Sequence, residues 1–366
     1  MKEYLLVFVV AAAMTYVSTP LVRWFAVRTG AFTPVRERDV HAVPIPRLGG
    51  LAMLLGFCAA LLVASRLPYL SQIFGTGEMK GVLIGAGIVC LVGAIDDIRE
   101  LDWLTKLAGQ ILAAGIMAFQ GVQLLQLPVF GVTVLPAPVL MALTILIVLI
   151  STNAVNFIDG LDGLAAGVVG IAALAFFAYT YLLSKTYDPP NVFSSATFIT
   201  AALVGCCVGF LPHNFHPARL FMGDAGALLL GLLLAAATIS ITGSIDPSTS
   251  VSGNSAVAIF LPVVVPLAIL TLPLLDVLLA VIRRTRAGQR PWHPDAGHLH
   301  HRMLKIGHTH RRAVLLLYLW AALLAMGAVS FAYVDGWLPI VAIAALTGAA
   351  IVLTVWLPRW RPQSRL

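Results

Sequence analysis

Charge is the scarcest resource in this chain: 11% of its 366 residues are Asp, Glu, Lys or Arg, against roughly 25% in soluble domains. So few charges cannot cover a water-soluble globule, and no nucleic-acid partner is expected from them. Thiol chemistry is equally thin. The four cysteines, Cys58, Cys90, Cys206 and Cys207, sit inside apolar runs with no CxxC spacing. That argues against a disulfide framework or a thiolate metal centre and for simple packing.

What fills the chain instead is apolar sequence, 60% of all residues. A membrane-crossing helix needs about 20 mostly apolar residues, and eleven such runs are legible, near 4–22, 48–65, 81–95, 107–120, 138–152, 164–183, 195–212, 226–242, 256–282, 313–333 and 338–357. Several are short, so ten is the other count the boundaries allow. The expectation is an all-α integral membrane protein forming a single polytopic domain over residues 1–366. Loosely alternating residues with Gly and Pro at 121–137 predict a hairpin between two of the spans.

Orientation follows from the basic residues. One lysine, Lys2, precedes the first run while Arg23, Arg28, Arg36 and Arg38 follow it, which fits an uncleaved first helix with its N-terminus outside. Alternating from there, the inner segments hold 19 of the 23 Lys and Arg residues. The net charge of +7 therefore belongs to one face, the cytoplasmic one, where it also attracts anionic lipid.

Five loops on that face, 23–47, 96–106, 153–163, 213–225 and 283–312, carry the chemistry. The first ends in HAVPIPRLGG, where Pro44 and Pro46 bar a helix and hold His41 and Arg47 on a stiff extended segment suited to an anion. The second opens on the adjacent acids Asp96 and Asp97, with Lys106 downstream. Ionisable groups at a span's end are costly, and neighbouring acids raise one another's pKa and attract divalent cations. The third, NAVNFIDGLDG, offers Asn153, Asn156, Asp159 and Asp162; the two acids are three apart and share a face if that backbone is helical.

The fourth loop, PHNFHPARLFMGDAG, supplies His213, Asn214, Arg219, Phe221 and Asp224, the last just ahead of an apolar run where a helix dipole would keep it anionic. In the ninth run, Asp276 is either a cleft residue or a partner of Arg283 or Arg284. The fifth loop contains His293, His298, His300, His301, His308 and His310 among many arginines, Arg302 included. Without cysteine and surrounded by cations, that set suits a polyanion such as a diphosphate better than zinc. Acids and amides without thiolates select a hard cation, Mg2+ or Mn2+, which typically joins protein carboxylates to substrate phosphates. Phosphoryl transfer at the membrane surface is the chemistry this predicts. A transporter would place such groups near the midplane and show repeats, and none is visible.

Four ordered motifs, IDD with its downstream Lys, NAVNFIDGLDGLAAG, NFHPARLFMGDAG and HLHHRML, resemble the polyprenyl-phosphate N-acetylhexosamine-1-phosphate transferases. HLHHRML and PRLGG are similar to the WecA/TagO-type branch that uses UDP-GlcNAc rather than the branch transferring phospho-MurNAc-pentapeptide. The resemblance implies transfer of GlcNAc-1-phosphate to a polyprenyl phosphate with release of UMP, or the same step with another UDP-N-acetylhexosamine. It would be the first membrane step of a cell-envelope glycan pathway, in a bacterial-type cytoplasmic membrane, and a homodimer is compatible with it.

By the same resemblance Asp224 is the prime Mg2+ ligand, with Asp97 beside it. Asp96 deprotonates or orients the lipid phosphate, next to Lys106. Asn153, Asn156, Asp159 and Asp162 line the diphosphate and nucleoside pocket. Asn214 and Phe221 contact and stack on uracil, Arg219 adds a cation, and His298, His300 and His301 with Arg302 hold the diphosphate or sugar. Where the pentapeptide-transferring branch has a Lys soon after the paired acids, this chain reads DDIRE, leaving Arg99 and Lys106 as alternative cations.

Overall fold

The computed structural model describes residues 1–32, 44–125, 127–128, 132–133, 135–186, 194–242, 271, 278–279, 281–286, 288, 299–334 and 336–356. It is an all-α multi-pass membrane protein. In a bilayer the backbone must satisfy its own hydrogen bonds, and the helix does so within one segment. The long helices are α1 (Lys2–Thr29), α2 (Gly49–Ala64), α3 (Glu78–Arg99), α4 (Trp103–Phe119), α5 (Ala137–Ile158), α6 (Leu164–Thr186), α7 (Ser194–Asn214) and α8 (Gly223–Thr242). A short α9 (Leu299–Ile306) precedes α10 (His310–Tyr333) and α11 (Leu338–Trp356).

Eight of these are long and apolar enough to cross a membrane, and α2 and α4 are shorter apolar helices. The ninth apolar run, with Asp276, falls largely outside the described residues. The expected hairpin is present as two short antiparallel strands, β1 (Leu127–Pro128) and β2 (Val132–Thr133), pairing Leu127 with Thr133.

Helix α8 is the axis. Its sequence is apolar all round, which fits full burial rather than one amphipathic stripe, and every residue from Ala225 to Ile239 is buried. It packs against α3, α5, α7 and α2, while α1 wraps outside α2 and α7 and α10 lies on α6. Lipid offers no hydrophobic drive between helices, so close approach of small residues supplies dispersion instead. Gly50 of α2 lies directly on the Gly226 backbone, where a Cβ would overlap it. Helix α11 is the peripheral one, with Leu338, Ile340, Leu346, Ile351 and Val352 exposed.

Short turns keep the acid-bearing helix ends together. Only residues 100–102 separate α3 from α4, 159–163 separate α5 from α6 and 215–222 separate α7 from α8. Asp102 closes the first of these as an N-cap, accepting the Leu104 and Thr105 N–H groups at 3.1 and 3.0 Å. The Thr105 hydroxyl and these backbone donors hold its carboxyl below the usual range. The PRLGG segment is stitched into the same end: Phe221 N–H donates to the Pro46 carbonyl at 2.9 Å, and Gly49 and Gly50 N–H donate to Phe221 and Met222 carbonyls at 2.9 and 3.0 Å. Leu48, fully buried, adopts φ +85° to make this turn, a conformation costing a non-glycine residue about 1–2 kcal/mol.

Gly50→Ala should therefore lower thermal stability in detergent by about 1–3 kcal/mol, the usual cost of overpacking. Gly87→Ala, whose Cβ meets nothing within 4 Å, should leave the melting temperature unchanged. Equal effects in a melting series would refute the close-packing account.

Candidate active site

Adjacent residues on a helix point about 100° apart, and the last turn of α3 uses that divergence to give its paired acids different work. Asp97 turns inward. Its side chain is fully buried, and its two oxygens accept the N–H groups of Asp224 and Ala225 at 3.0 and 3.2 Å. These are first-turn donors of α8 with no partner inside their own helix, so α3 caps α8 from outside. Gly223 is required at this contact, because it has φ +67° and any Cβ would run into the Asp97 carboxylate. Arg47 stands 3.9 Å away as a counter-charge.

Asp97, expected among the metal ligands, has both oxygens on these backbone donors and so holds the start of α8, and with it Asp224, in place.

Asp96 turns toward the open side. One oxygen accepts Leu101 N–H at 2.8 Å, and the other meets the Lys106 ammonium at 2.9 Å. Lys106 also pairs with Asp224, whose second oxygen accepts the Asn156 amide at 3.0 Å. Lys106 therefore stands in this site beside Arg47, while Arg99 lies exposed at the helix end. Asp159 caps the C-terminus of α5. Burial first, and then the charges of Asp224 and Asp97, push its carboxyl up to about 8.

Asp162 does not join this group. Residues 159–163 form turns rather than helix, so the shared face expected for Asp159 and Asp162 is absent. Asp162 instead accepts His216 Nδ1 at 2.7 Å and Ala218 N–H at 3.1 Å, with His310 Nε2 at 4.0 Å. The two imidazoles stack with centroids 4.2 Å apart, and the three ligand atoms all lie within 4.8 Å of one another. Nothing in the sequence spacing pointed to this triad.

Two amides expected at the substrate are engaged elsewhere. Asn214 is buried and joins Gly163 N–H to the Leu220 carbonyl at 3.1 and 3.0 Å. Asn153 donates to Gln110 and to the Leu149 carbonyl, both at 2.8 Å. Gln110 itself is buried and also takes the Thr152 hydroxyl at 3.1 Å; a lone amide inside an apolar run was the available signal for it. Phe221 is half-buried, with its backbone clamped to Pro46 and Gly49. Arg219 is exposed and faces a separate cavity beside α1.

Of the basic loop, Arg302 is exposed on α9, and His308 is buried with Nε2 at 2.9 Å from the Thr354 carbonyl. His41 and His298 lie outside the described residues, as do the side chains of His300 and His301. The described site is thus Asp96 and Asp224 around Lys106 and Asn156, anchored by Asp97, with Asp159 close enough to interact with the charges of Asp224 and Asp97. Its donors toward a cation are carboxylate and carboxamide oxygens, which suit a hard divalent ion.

The sequence model of the family described as glycosyl transferase family 4 matches residues 79–242, the stretch that carries all four of the acids just described. A decaprenyl-phosphate N-acetylglucosaminephosphotransferase of Mycolicibacterium smegmatis is 44% identical over 92% of this chain and 84% of its own length. The protein of the same name from Mycobacterium tuberculosis strain H37Rv is 43% identical over 97% of this chain and 88% of its own. An undecaprenyl-phosphate alpha-N-acetylglucosaminyl 1-phosphate transferase of Yersinia pestis is 28% identical over 88% and 82%. Near-complete alignment at such identity, together with the ordered motifs and the acids they bring to one end of the bundle, places this chain in the polyprenyl-phosphate N-acetylhexosamine-1-phosphate transferase family.

Proposed function

We propose that this protein transfers GlcNAc-1-phosphate from UDP-GlcNAc to a polyprenyl phosphate, giving polyprenyl-diphosphate-GlcNAc and UMP. The observation that carries the reading is the Asp96–Lys106–Asp224 bridge with Asn156, formed where four helix ends meet. In bond terms, an oxygen of the lipid phosphate attacks the β-phosphorus of the donor. The bond from that phosphorus to the bridging oxygen breaks, and UMP leaves with the electron pair. One diphosphate is consumed and one is made, so the step is close to thermoneutral.

The residues divide this work by charge. Asp224 and Asp96 would hold Mg2+, with Mn2+ as its substitute. When bound, the ion neutralises diphosphate charge and stabilises the leaving phosphate. Lys106, held between the same two carboxylates, is positioned to exchange them for phosphate oxygens. Asn156 orients Asp224 through its amide. Asp159, whose carboxyl is pushed up to about 8 by burial and by the charges of Asp224 and Asp97 in the metal-free protein, adds a carboxyl that holds its proton more readily than its neighbours. Arg47 adds positive charge near the same end.

The Lys/Arg bias supports a cytoplasmic site with the N-terminus outside, in a bacterial plasma membrane. UDP-GlcNAc as donor rests on the names of the relatives and on the HLHHRML motif.

Purified protein given UDP-GlcNAc, Mg2+ and polyprenyl phosphate should release UMP, faster than with UDP-GalNAc or UDP-MurNAc-pentapeptide. EDTA should stop it. Asp224→Asn should lower kcat by about 100-fold or more, as loss of a charge-stabilising group does; undiminished release would refute the assignment.

Lys106→Met should lower kcat by about 100-fold while the protein stays folded in the presence of Mg2+. A change confined to KM would make Lys106 a binding group only.

A raised carboxyl pKa means the folded state favours the proton. The associated stability is complete at acid pH and is lost as pH rises toward about 8. In metal-free protein, Asp159→Asn should therefore gain in melting temperature over the parent between pH 5 and pH 8. A difference that is flat across that range would contradict the environment described for Asp159.

A further inference from the structure

Away from the acid cluster, the last three turns of α1, the end of α7 and the turn that follows it line an open cavity of about 370 Å3. Arg23, Trp24, His213 and Arg219 line it with Thr19 and Pro20, and no acid is among its lining residues. Arg23 Nε donates to the Arg219 carbonyl at 3.1 Å, fixing that guanidinium at the cavity, and its terminal nitrogens have no hydrogen-bond partner among the described residues.

Proline and histidine build the floor. Pro20 lies inside α1 and has no N–H, so the Tyr16 carbonyl loses its helical donor. The His213 ring supplies the replacement hydrogen bond to that carbonyl and packs on the Tyr16 ring at 4.8 Å. Its other nitrogen, Nε2, is buried and has no partner among the described residues. Below this level α1 turns Val17 and Leu21 outward, 65% and 69% exposed, as a surface for acyl chains. Trp24, with the Arg28 guanidinium 3.8 Å over its ring, marks the depth of the headgroup layer, where tryptophan concentrates.

We propose that this cavity binds the phosphate group of an acidic glycerophospholipid, held by Arg23, Arg219 and His213 with its chains along α1. Two guanidinium cations match a phosphate diester, since guanidinium pairs with phosphate oxygens in a planar fork, and His213 Nε2 can donate to the same phosphate as the imidazolium that a neighbouring anion favours. The bordering apolar residues favour a lipid over a free anion, which would gain nothing from them. A bilayer lipid fits better than the polyprenyl phosphate acceptor, because none of Asp96, Lys106 and Asp224 lines the cavity. The site goes beyond the transfer reaction and does not rest on it.

Full-length protein, delipidated in a neutral detergent, can be titrated with phosphatidylglycerol or phosphatidylcholine and followed by native mass spectrometry. Phosphatidylglycerol should be retained in preference. Arg23→Gln with Arg219→Gln should weaken that retention about tenfold or more, at roughly 1 kcal/mol per basic residue. The Arg23→Lys, Arg219→Lys pair should keep most of it, and His213→Phe should weaken it while preserving the ring contact with Tyr16. Arg66→Gln, on a different connection, should match the parent, and melting temperatures identify any variant that has not folded. Equal retention of the two lipids, an undiminished Gln pair, or displacement of phosphatidylglycerol by stoichiometric polyprenyl phosphate would overturn the proposal.

Discussion

The contact on which the site depends is the cap that Asp97 places on α8 from α3. Free N–H groups at a helix start need acceptors, and where packed helix ends bury them a side chain must stand in for water. By accepting two of them, Asp97 settles three matters together: the depth of α8, the rotation that turns Asp224 toward Asn156 and Lys106, and the requirement for glycine at 223. The PRLGG segment reinforces the same junction from α2, through backbone bonds to Phe221 and Met222.

Around that cap, charge is held near balance without being cancelled. Asp96, Asp97, Asp159 and Asp224 stand against Lys106 and Arg47, so the cluster is short of positive charge. Asp159 responds with a raised carboxyl pKa, and Lys106 by serving two acids at once. A divalent cation with a diphosphate would meet both conditions: the ion supplies the missing charge, and the phosphates give Lys106 another partner. Carboxylates whose separation is fixed by packed helix ends need little rearrangement to do this, which is how preorganised electrostatics contribute to catalysis.

The fold and the end of the bundle that carries the site could be read from the chain. Apolar runs of bilayer length are helices by necessity, and the acids at their ends had to gather wherever those ends meet. Roles within the site were harder. The sequence does not say that Asp96 and Asp97 diverge, because that depends on where α8 lies against α3. Nor does DGLDG reveal that its second acid leaves the first: the turn at 159–163 sends Asp162 to His216 and His310, which lie 54 and 148 positions further along. Asn153 and Asn214 look like ligands because both are amides beside acids, and the sequence does not show that each also ties to a neighbouring segment. Gln110 was passed over because one amide in an apolar run has no pattern.

Which bond of the donor breaks is the most direct test of the proposed chemistry. UDP-GlcNAc carrying isotope in its β-phosphate, incubated with polyprenyl phosphate, Mg2+ and the purified protein, distinguishes the outcomes. All transferred label should move into the lipid diphosphate, and the released nucleotide should be unlabelled UMP. Labelled UDP among the products, with sugar alone on the lipid, would contradict phosphoryl transfer at this site.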